Sequence, residues 1–256
     1  MIQMNEKVVV NFGDSIFGNM NPPNDISSIL AKLTGATVYN CAFGGCRMSR
    51  HAEHWDALSM YSLAYAVATG DFSYQDSIPM DELIEQGGML RYFPERIELL
   101  KKIDFNKVDI VTIAFGTNDY TARKRIDDSD DGKNTDTYMG ALRYSIETLL
   151  NAYPHLKIFI CSPSYRFWHE DDPGKTFYDR PFRDDSDTCL RFNNRMLPEF
   201  VEAARQVAKE YHLKFIDLYF ELGINKYNKE FYLLDGTHHN PEGTRLIAEF
   251  MANELF

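Results

Sequence analysis

The sequence has few of the features that mark metal-binding or disulfide-stapled proteins. Its 256 residues include four cysteines (Cys41, Cys46, Cys161 and Cys189), and no two have the Cys-x-x-Cys spacing of a structural zinc site. Disulfide scaffolds are usually much shorter chains. No Walker loop or dinucleotide fingerprint follows the first predicted strand. We therefore expect reduced, buried thiols, and the sequence predicts neither a metal nor a cofactor.

Long apolar runs and basic patches are also missing. No stretch approaches the roughly 20 apolar residues of a membrane helix, and the N-terminus lacks the pattern of a secretory signal. The 38 acidic and 27 basic residues give a net charge of −11, and the basic ones are scattered among acids. This charge argues against nucleic acid as a partner. We expect a cytoplasmic protein without a membrane span that acts on a small molecule.

Short apolar, β-branched runs alternate with segments of helical periodicity. Because the strands are apolar almost throughout, they predict a parallel sheet buried on both faces. The alternation favours a three-layer α/β/α fold around five parallel strands. The predicted strands are 7–12, 36–40, 108–115, 156–161 and 213–218, and the predicted helices are 24–34, 137–152, 191–212 and 241–255.

Two segments exceed this minimal alternation. The segment 51–102 has a largely helical pattern, and 162–188 is long, polar and aromatic. Both follow predicted strands, and ligands of open α/β sheets bind beyond the carboxyl ends of the strands. We therefore expect one domain over 1–256, with these two insertions bordering its site.

A serine follows the first strand in the tripeptide Gly13-Asp14-Ser15. A residue at this position is presented beside backbone N–H groups that favour negative charge. Ser15 is therefore a candidate nucleophile for a reaction that builds an oxyanion. Taken alone, the tripeptide equally fits an ordinary helix N-cap.

A serine nucleophile needs a base, and Asp235-Gly236-Thr237-His238 offers one near the other end of the chain. Asp and His three residues apart can share a turn, so the carboxylate can orient the imidazole. His239 is a competing base. Asn118, after the third strand, and Gly45, after the second, are candidate oxyanion donors.

As a set, these segments resemble the GDSL/SGNH hydrolase family, which is named for four residues. Ser15, Gly45, Asn118 and His238 match them here, and the resemblance spans 8–243 apart from the two insertions. It implies a flavodoxin-like fold and metal-free ester hydrolysis. Ser15 then attacks the ester, His238 accepts its proton, and Asp235 orients His238. The Ser15 and Gly45 amides and the Asn118 side chain form the oxyanion hole.

Two positions depart from the family pattern. Ile16 replaces the usual Leu after Gly-Asp-Ser, and His239 stands where Pro is frequent. Neither change removes a catalytic group. The family spacing also favours His238 over its neighbour as the base.

Aromatic and polar residues in the insertions suggest the substrate class. Asp14, Tyr165, Trp168 and His239 are candidates for substrate contact. Rings mixed with polar groups favour a small polar ester, such as an O-acetylated carbohydrate. Two alternatives stay open: a lipase or lysophospholipase of the same family, and a carbohydrate-binding relative without turnover. The same residues serve hydrolysis and acyl transfer alike.

Overall fold

The fold is built on a parallel five-stranded sheet. A computed structural model describes residues 7–256, so the first six residues of the predicted domain lie outside it. The strand order is β2-β1-β3-β4-β7, and β5 and β6 form a separate antiparallel pair. The strands are β1 Val8–Gly13, β2 Thr37–Asn40, β3 Ile110–Ala114, β4 Lys157–Cys161, β5 Phe167–His169, β6 Phe182–Asp185 and β7 Lys214–Ile216.

The register aligns the carboxyl ends of the three central strands. Gly13 at the end of β1 pairs with Ala114 of β3, which pairs with Cys161 of β4. All five residues of β3 are buried. A strand buried on both faces needs helices above and below, which gives the predicted three-layer α/β/α architecture.

Two groups of helices cover the sheet. Helix α2 packs against α11, whereas α8 packs against both α3 and α9. Right-handed crossovers place α2 on one face and α3, α8 and α9 on the other. The helices are α1 Ser15–Gly18, α2 Ile26–Thr34, α3 Met60–Thr69, α4 Ser73–Asp76, α5 Met80–Glu85, α6 Phe93–Lys102, α7 Thr117–Thr121, α8 Tyr138–Ala152, α9 Leu197–Glu210, α10 Lys229–Tyr232 and α11 Pro241–Leu255.

Local sequence signals set the ends of α2. The Asp25 carboxylate accepts hydrogen bonds from the Ser27 and Ser28 amides at 3.1 and 3.2 Å. Gly35 ends the helix with a φ of 71°, a left-handed conformation that glycine adopts without strain. An acidic N-cap and a C-terminal glycine are the expected boundary residues.

The start of α9 differs from the prediction. The helical stripe predicts a helix from residue 191, but α9 begins at Leu197. Asn193 and Asn194 have φ values of 63° and 59°, which interrupt a right-handed helix. Pro198 then lies in the first turn, where its missing N–H costs nothing.

The two insertions have different structures. The first, 51–102, contains a 3₁₀ turn at Glu53–Leu58 and helices α3 to α6, as its helical pattern predicts. The second, 162–188, is mostly loop around the β5–β6 pair. No helix within residues 7–256 is long and apolar enough to cross a bilayer.

Burial on α2 generates a matched stability test. Leu30 is fully buried, whereas Leu33 on the same helix is 51% exposed. We expect Leu30→Ala to lower the free energy of unfolding by about 2–5 kcal/mol, because it leaves a cavity. Leu33→Ala should change it by less than about 0.5 kcal/mol. Urea unfolding followed by circular dichroism measures both, and equal losses would contradict the described packing.

Candidate active site

Ser15 lies where β1 turns into α1. Ser15 is 8% exposed and is the first residue of α1. The preceding Asp14 accepts a hydrogen bond from the Ile16 amide at 3.0 Å and caps the helix. The N–H groups of a first turn have no acceptor within the helix, so the Ser15 amide is available to another group.

Three side chains form a continuous hydrogen-bonded line. Ser15 Oγ is 2.8 Å from His238 Nε2, and His238 Nδ1 is 2.7 Å from Asp235 Oδ2. Oδ1 of Asp235 accepts from the amides of Thr237 and His238 at 3.0 and 2.8 Å. Burial raises the pKa of Asp235, but the hydrogen bonds from His238 outweigh this effect and hold it at about 2. The carboxylate is therefore ionised at neutral pH and fixes the imidazole orientation.

The loop that carries His238 is pressed against β5. Gly236 has a φ of 78°, and a Cβ there would lie 2.4 Å from the Phe167 carbonyl oxygen. Its amide carbonyl accepts from the Phe167 N–H at 2.9 Å. Only glycine fits this approach, so the glycine between Asp235 and His238 lets the loop dock on the second insertion.

Two candidate oxyanion donors lie on adjacent loops. Asn118 Nδ2 donates to the Cys46 carbonyl at 2.9 Å, which fixes the amide while its second hydrogen stays available. Gly45 has a φ of 80°, and its N–H has no acceptor among residues 7–256. The neighbouring Gly44 amide instead donates to the Tyr92 hydroxyl at 2.9 Å. Of the two glycines, Gly45 thus has the available donor.

The buried Asp119 holds these two loops together. Its carboxylate accepts from the Met48 amide and from the Ser49 amide, each at 3.0 Å, and from the Ser49 hydroxyl at 2.5 Å. Burial raises the pKa of Asp119, and these donors oppose that effect. The Gly45–Cys46 turn is therefore anchored to the residue after Asn118.

Arg166 forms hydrogen bonds to two segments that carry candidate catalytic residues. One terminal nitrogen donates to Thr117 Oγ1 at 2.8 Å and the other to Thr237 Oγ1 at 2.7 Å. The residue is 9% exposed, and burial lowers its pKa to about 10. Thr117 precedes Asn118 and Thr237 precedes His238. The guanidinium therefore connects the segment that carries Asn118 to the loop that carries His238.

Comparison with known proteins assigns the chain to a family. The model of the GDSL-like lipase/acylhydrolase family matches residues 11–246. The chain belongs to this family. It is an ester hydrolase of the esterase and lipase type, with the parallel α/β fold of SGNH hydrolases. The sequence matches no curated protein closely enough to add a nearer relative.

Solved structures share the fold of this GDSL-like acylhydrolase at low sequence identity. A protein from Lactobacillus plantarum is 18% identical, with a TM-score of 0.63 over 98% of this chain and 96% of that one. The aryl esterase of M. smegmatis is 16% identical, with a TM-score of 0.57 over 97% and 98%. A lipase/acylhydrolase from Enterococcus faecalis is 17% identical, with a TM-score of 0.54 over 97% and 95%.

Three of the four residues predicted to contact substrate have buried side chains. Asp14 is 2% exposed and serves as a helix cap, and Tyr165 is buried with its hydroxyl donating to Asp185 at 2.7 Å. His239 turns into the interior, where neither ring nitrogen has a hydrogen-bond partner from residues 7–256 and burial lowers its pKa to about 3. Substrate contact by these three residues stays a prediction. Trp168 is half-buried, with Arg166 and Arg191 over its ring at 4.8 and 5.1 Å.

The cysteines and the other potential metal ligands were located in the structure. All four cysteines are free and buried, as predicted. Across residues 7–256, no group of three or more His, Cys, Asp or Glu side chains is arranged to hold a metal ion.

Sequence reasoning missed the residues that support the catalytic set. Asp119 was visible in Gly-Thr-Asn-Asp, and its place directly after Asn118, just beyond a buried strand, was a usable signal. Arg166 carried no such signal, because its partners lie 49 and 71 positions away.

The buried Asp14 predicts a pH dependence of stability. Burial raises its pKa from 3.8 to about 7, so between these values the folded protein holds a proton that the unfolded chain has released. The free energy of unfolding should therefore fall as the pH rises through this window. Asp14→Asn keeps an N-cap without the charge and should gain, relative to wild type, on the order of 2–4 kcal/mol by about pH 8.5.

Urea unfolding of both proteins between about pH 3.5 and pH 8.5 measures this difference. The advantage of Asp14→Asn should be small at the acidic end, which serves as the internal control. Parallel curves across the whole range would mean that Asp14 titrates alike in the folded and unfolded states.

Proposed function

We propose that this acylhydrolase cleaves short-acyl esters of small polar molecules through Ser15, His238 and Asp235. The observation that carries the proposal is the 2.8 Å contact between Ser15 Oγ and His238 Nε2. It joins a hydroxyl to an imidazole whose other nitrogen already faces a carboxylate. A serine hydroxyl becomes an effective nucleophile when such a base takes its proton.

The reaction has two halves. Ser15 Oγ attacks the ester carbonyl carbon and its proton moves to His238 Nε2. His238 returns that proton to the alcohol oxygen as the carbon–oxygen bond breaks, which leaves an acyl group on Ser15. Water, deprotonated by His238, then attacks the acyl carbonyl carbon. His238 returns this proton to Ser15 Oγ as the bond between Ser15 and the acyl group breaks, and the carboxylic acid leaves. Asp235 stays ionised throughout and stabilises the imidazolium.

Charge develops on the carbonyl oxygen in both halves. The proposed donors to it are the Ser15 amide, the Gly45 amide and the free hydrogen of the Asn118 side chain. Each is already fixed by the fold, so little reorganisation is needed as charge builds. One such donor typically contributes roughly 3–4 kcal/mol to the lowering of the barrier.

The surroundings of the oxyanion donors support a short acyl group. Trp55 lies against Gly45, where a Cβ would be 3.2 Å from its ring. The cavity behind the nucleophile loop, bordered by Asp14, Ile16 and Leu218, holds only about 10 Å³. A larger cavity of about 190 Å³ lies among Tyr61, Tyr74 and other residues that include none of the proposed catalytic set. These spaces do not offer a long acyl chain a groove that starts at Ser15.

The proposed nucleophile predicts a specific labelling pattern. A fluorophosphonate probe should label the wild type, and Ser15→Ala should lose both labelling and ester turnover by at least about 10³-fold. The control is Ser164→Ala, which removes a buried hydroxyl without a partner near the nucleophile loop and should keep the labelling. Gel fluorescence and p-nitrophenyl acetate hydrolysis measure the two effects. Wild-type protein that resists the probe would favour the non-catalytic, carbohydrate-binding alternative.

The narrow space at Gly45 predicts a preference for short acyl groups. We expect kcat/KM for p-nitrophenyl acetate to exceed that for the octanoate by more than about tenfold, because Trp55 limits the room beside the oxyanion donors. Trp55→Ala should lower the ratio of kcat/KM for the acetate to that for the octanoate, and Trp55→Phe should keep most of it. A wild-type preference for octanoate would instead support the lipase or lysophospholipase alternative.

A further inference from the structure

In the described range 7–256, two partly buried cations near the proposed oxyanion donors form no ion pair. Arg47 is half-buried, and its Nε is buried without a hydrogen-bond partner. Lys124 is also partly buried, and its ammonium has no hydrogen bond or ion pair among residues 7–256. Arg143, by contrast, bonds both Asp127 and Glu210, whereas Arg166 and Arg96 donate to hydroxyl or carbonyl oxygens. Unpaired, desolvated cations oppose folding, so their presence calls for a functional reason.

The backbone places both cations beside the proposed site. Arg47 follows Cys46, whose carbonyl accepts from Asn118, and lies two residues after Gly45. Two residues span at most about 7 Å of backbone. On the other side, the Lys124 amide donates to the Asp119 carbonyl at 3.0 Å, while the Asp119 carboxylate holds the turn after Arg47. Both chain segments thus converge on Asp119.

An aromatic pair connects the cations to the oxyanion donors. The His51 ring stacks on Trp55 with centroids 5.4 Å apart, and Trp55 lies against Gly45. Burial and the nearby Arg47 charge lower the pKa of His51 to about 4, so its ring is neutral at pH 7. Burial also lowers the pKa of Lys124, and Arg47 lowers it further. The Arg47 charge therefore acts on both Lys124 and the neutral His51 ring.

The acidic groups within electrostatic reach are occupied elsewhere. They are Asp119, Asp56 and Asp136. Asp119 is held by backbone and hydroxyl donors, as described above. Asp56 accepts from the His51 amide at 2.8 Å, and Asp136 pairs with Arg50 at 3.3 Å. None of these carboxylates forms an ion pair with Arg47 or Lys124, so both cations remain available to bind an anion in direct contact.

We propose that Arg47 and Lys124 form an anion subsite that binds an oxyanionic group of the ester substrate. This inference rests on the proposed function, since the subsite adjoins the donors assigned to the ester carbonyl. A carboxylate, sulfate or phosphate fits the chemistry, because a guanidinium binds such groups in a forked geometry and an ammonium adds a point charge. The substrate class is then a short-acyl ester that carries a negative charge, not a neutral lipid.

Matched charged and neutral esters test the subsite. The pairs are 4-acetoxybenzoate with its methyl ester, and mono-p-nitrophenyl glutarate with p-nitrophenyl butyrate. They place a carboxylate on the alcohol side or on the acyl side. The measured quantity is the ratio of kcat/KM for the charged ester to that for its neutral partner. Arg47→Met and Lys124→Met should each lower this ratio about tenfold for at least one pair, because they remove a partly desolvated charge from the ligand.

Lys209→Met is the control, since Lys209 is exposed on α9 and belongs to no part of the proposed site. It should leave both ratios unchanged. Ratios that stay within about twofold of wild type in both the Arg47 and Lys124 variants would overturn the proposal. If Arg47→Met does not fold, Lys124→Met decides, because methionine replaces much of the apolar stem of lysine.

A binding measurement separates this proposal from the proposed function. Inorganic phosphate and sodium sulfate should raise the melting temperature of the Ser15→Ala protein, and Lys124→Met in that background should remove most of this shift. This readout needs no turnover, so it decides the subsite if the wild type hydrolyses none of the four esters. Loss of turnover with an intact anion effect would contradict only the proposed function. If the wild type hydrolyses none of the four esters, equal melting-temperature shifts with and without Lys124 would overturn the subsite.

Discussion

The hydrogen bond between Ser15 and His238 sets the demands on the rest of the structure. It joins positions 223 residues apart, so no local preference can form it. The hydroxyl is fixed by the end of a central strand, whereas the imidazole lies on a loop beyond the last strand of the sheet. A contact of this kind tolerates little displacement, because misplacing a base by about 1 Å can cost about two orders of magnitude in rate. The supporting contacts serve to limit that displacement.

Three buried charges provide much of this support, and the fold accommodates each in a different way. Asp14 has one amide donor, and burial raises its pKa to about 7. Asp119 gathers three donors from a neighbouring turn. Arg166 divides its nitrogens between two threonine hydroxyls and has no carboxylate partner within the described part of the chain. Polar groups in a low-dielectric interior bind strongly when satisfied, so these contacts rigidify loops that would otherwise be mobile.

The sequence was sufficient for the layers of the fold, and it named the three side chains of the hydrogen-bonded line, Ser15, His238 and Asp235. Apolar strands and helical stripes report burial directly, and the family segments identify Ser15, Asn118, Asp235 and His238. What it could not supply was the direction of individual side chains. His238 and His239 are adjacent, yet one faces Ser15 and the other the interior, because tertiary packing of the loop decides their orientation. The start of α9 was predicted wrongly for a local reason. Two asparagines in the left-handed conformation interrupt an otherwise helical stripe.

Arg166 gives the second insertion a role beyond covering the domain. Its guanidinium reaches from that insertion to threonines on both neighbouring loops, and the adjoining β5 also receives Gly236. A segment exchanged between members of the fold must therefore bring an equivalent bridging cation, and not merely a loop of suitable length. The insertion is in this sense an inseparable part of the reaction centre, and recombination of such loops is restricted to pairs that preserve the bridge.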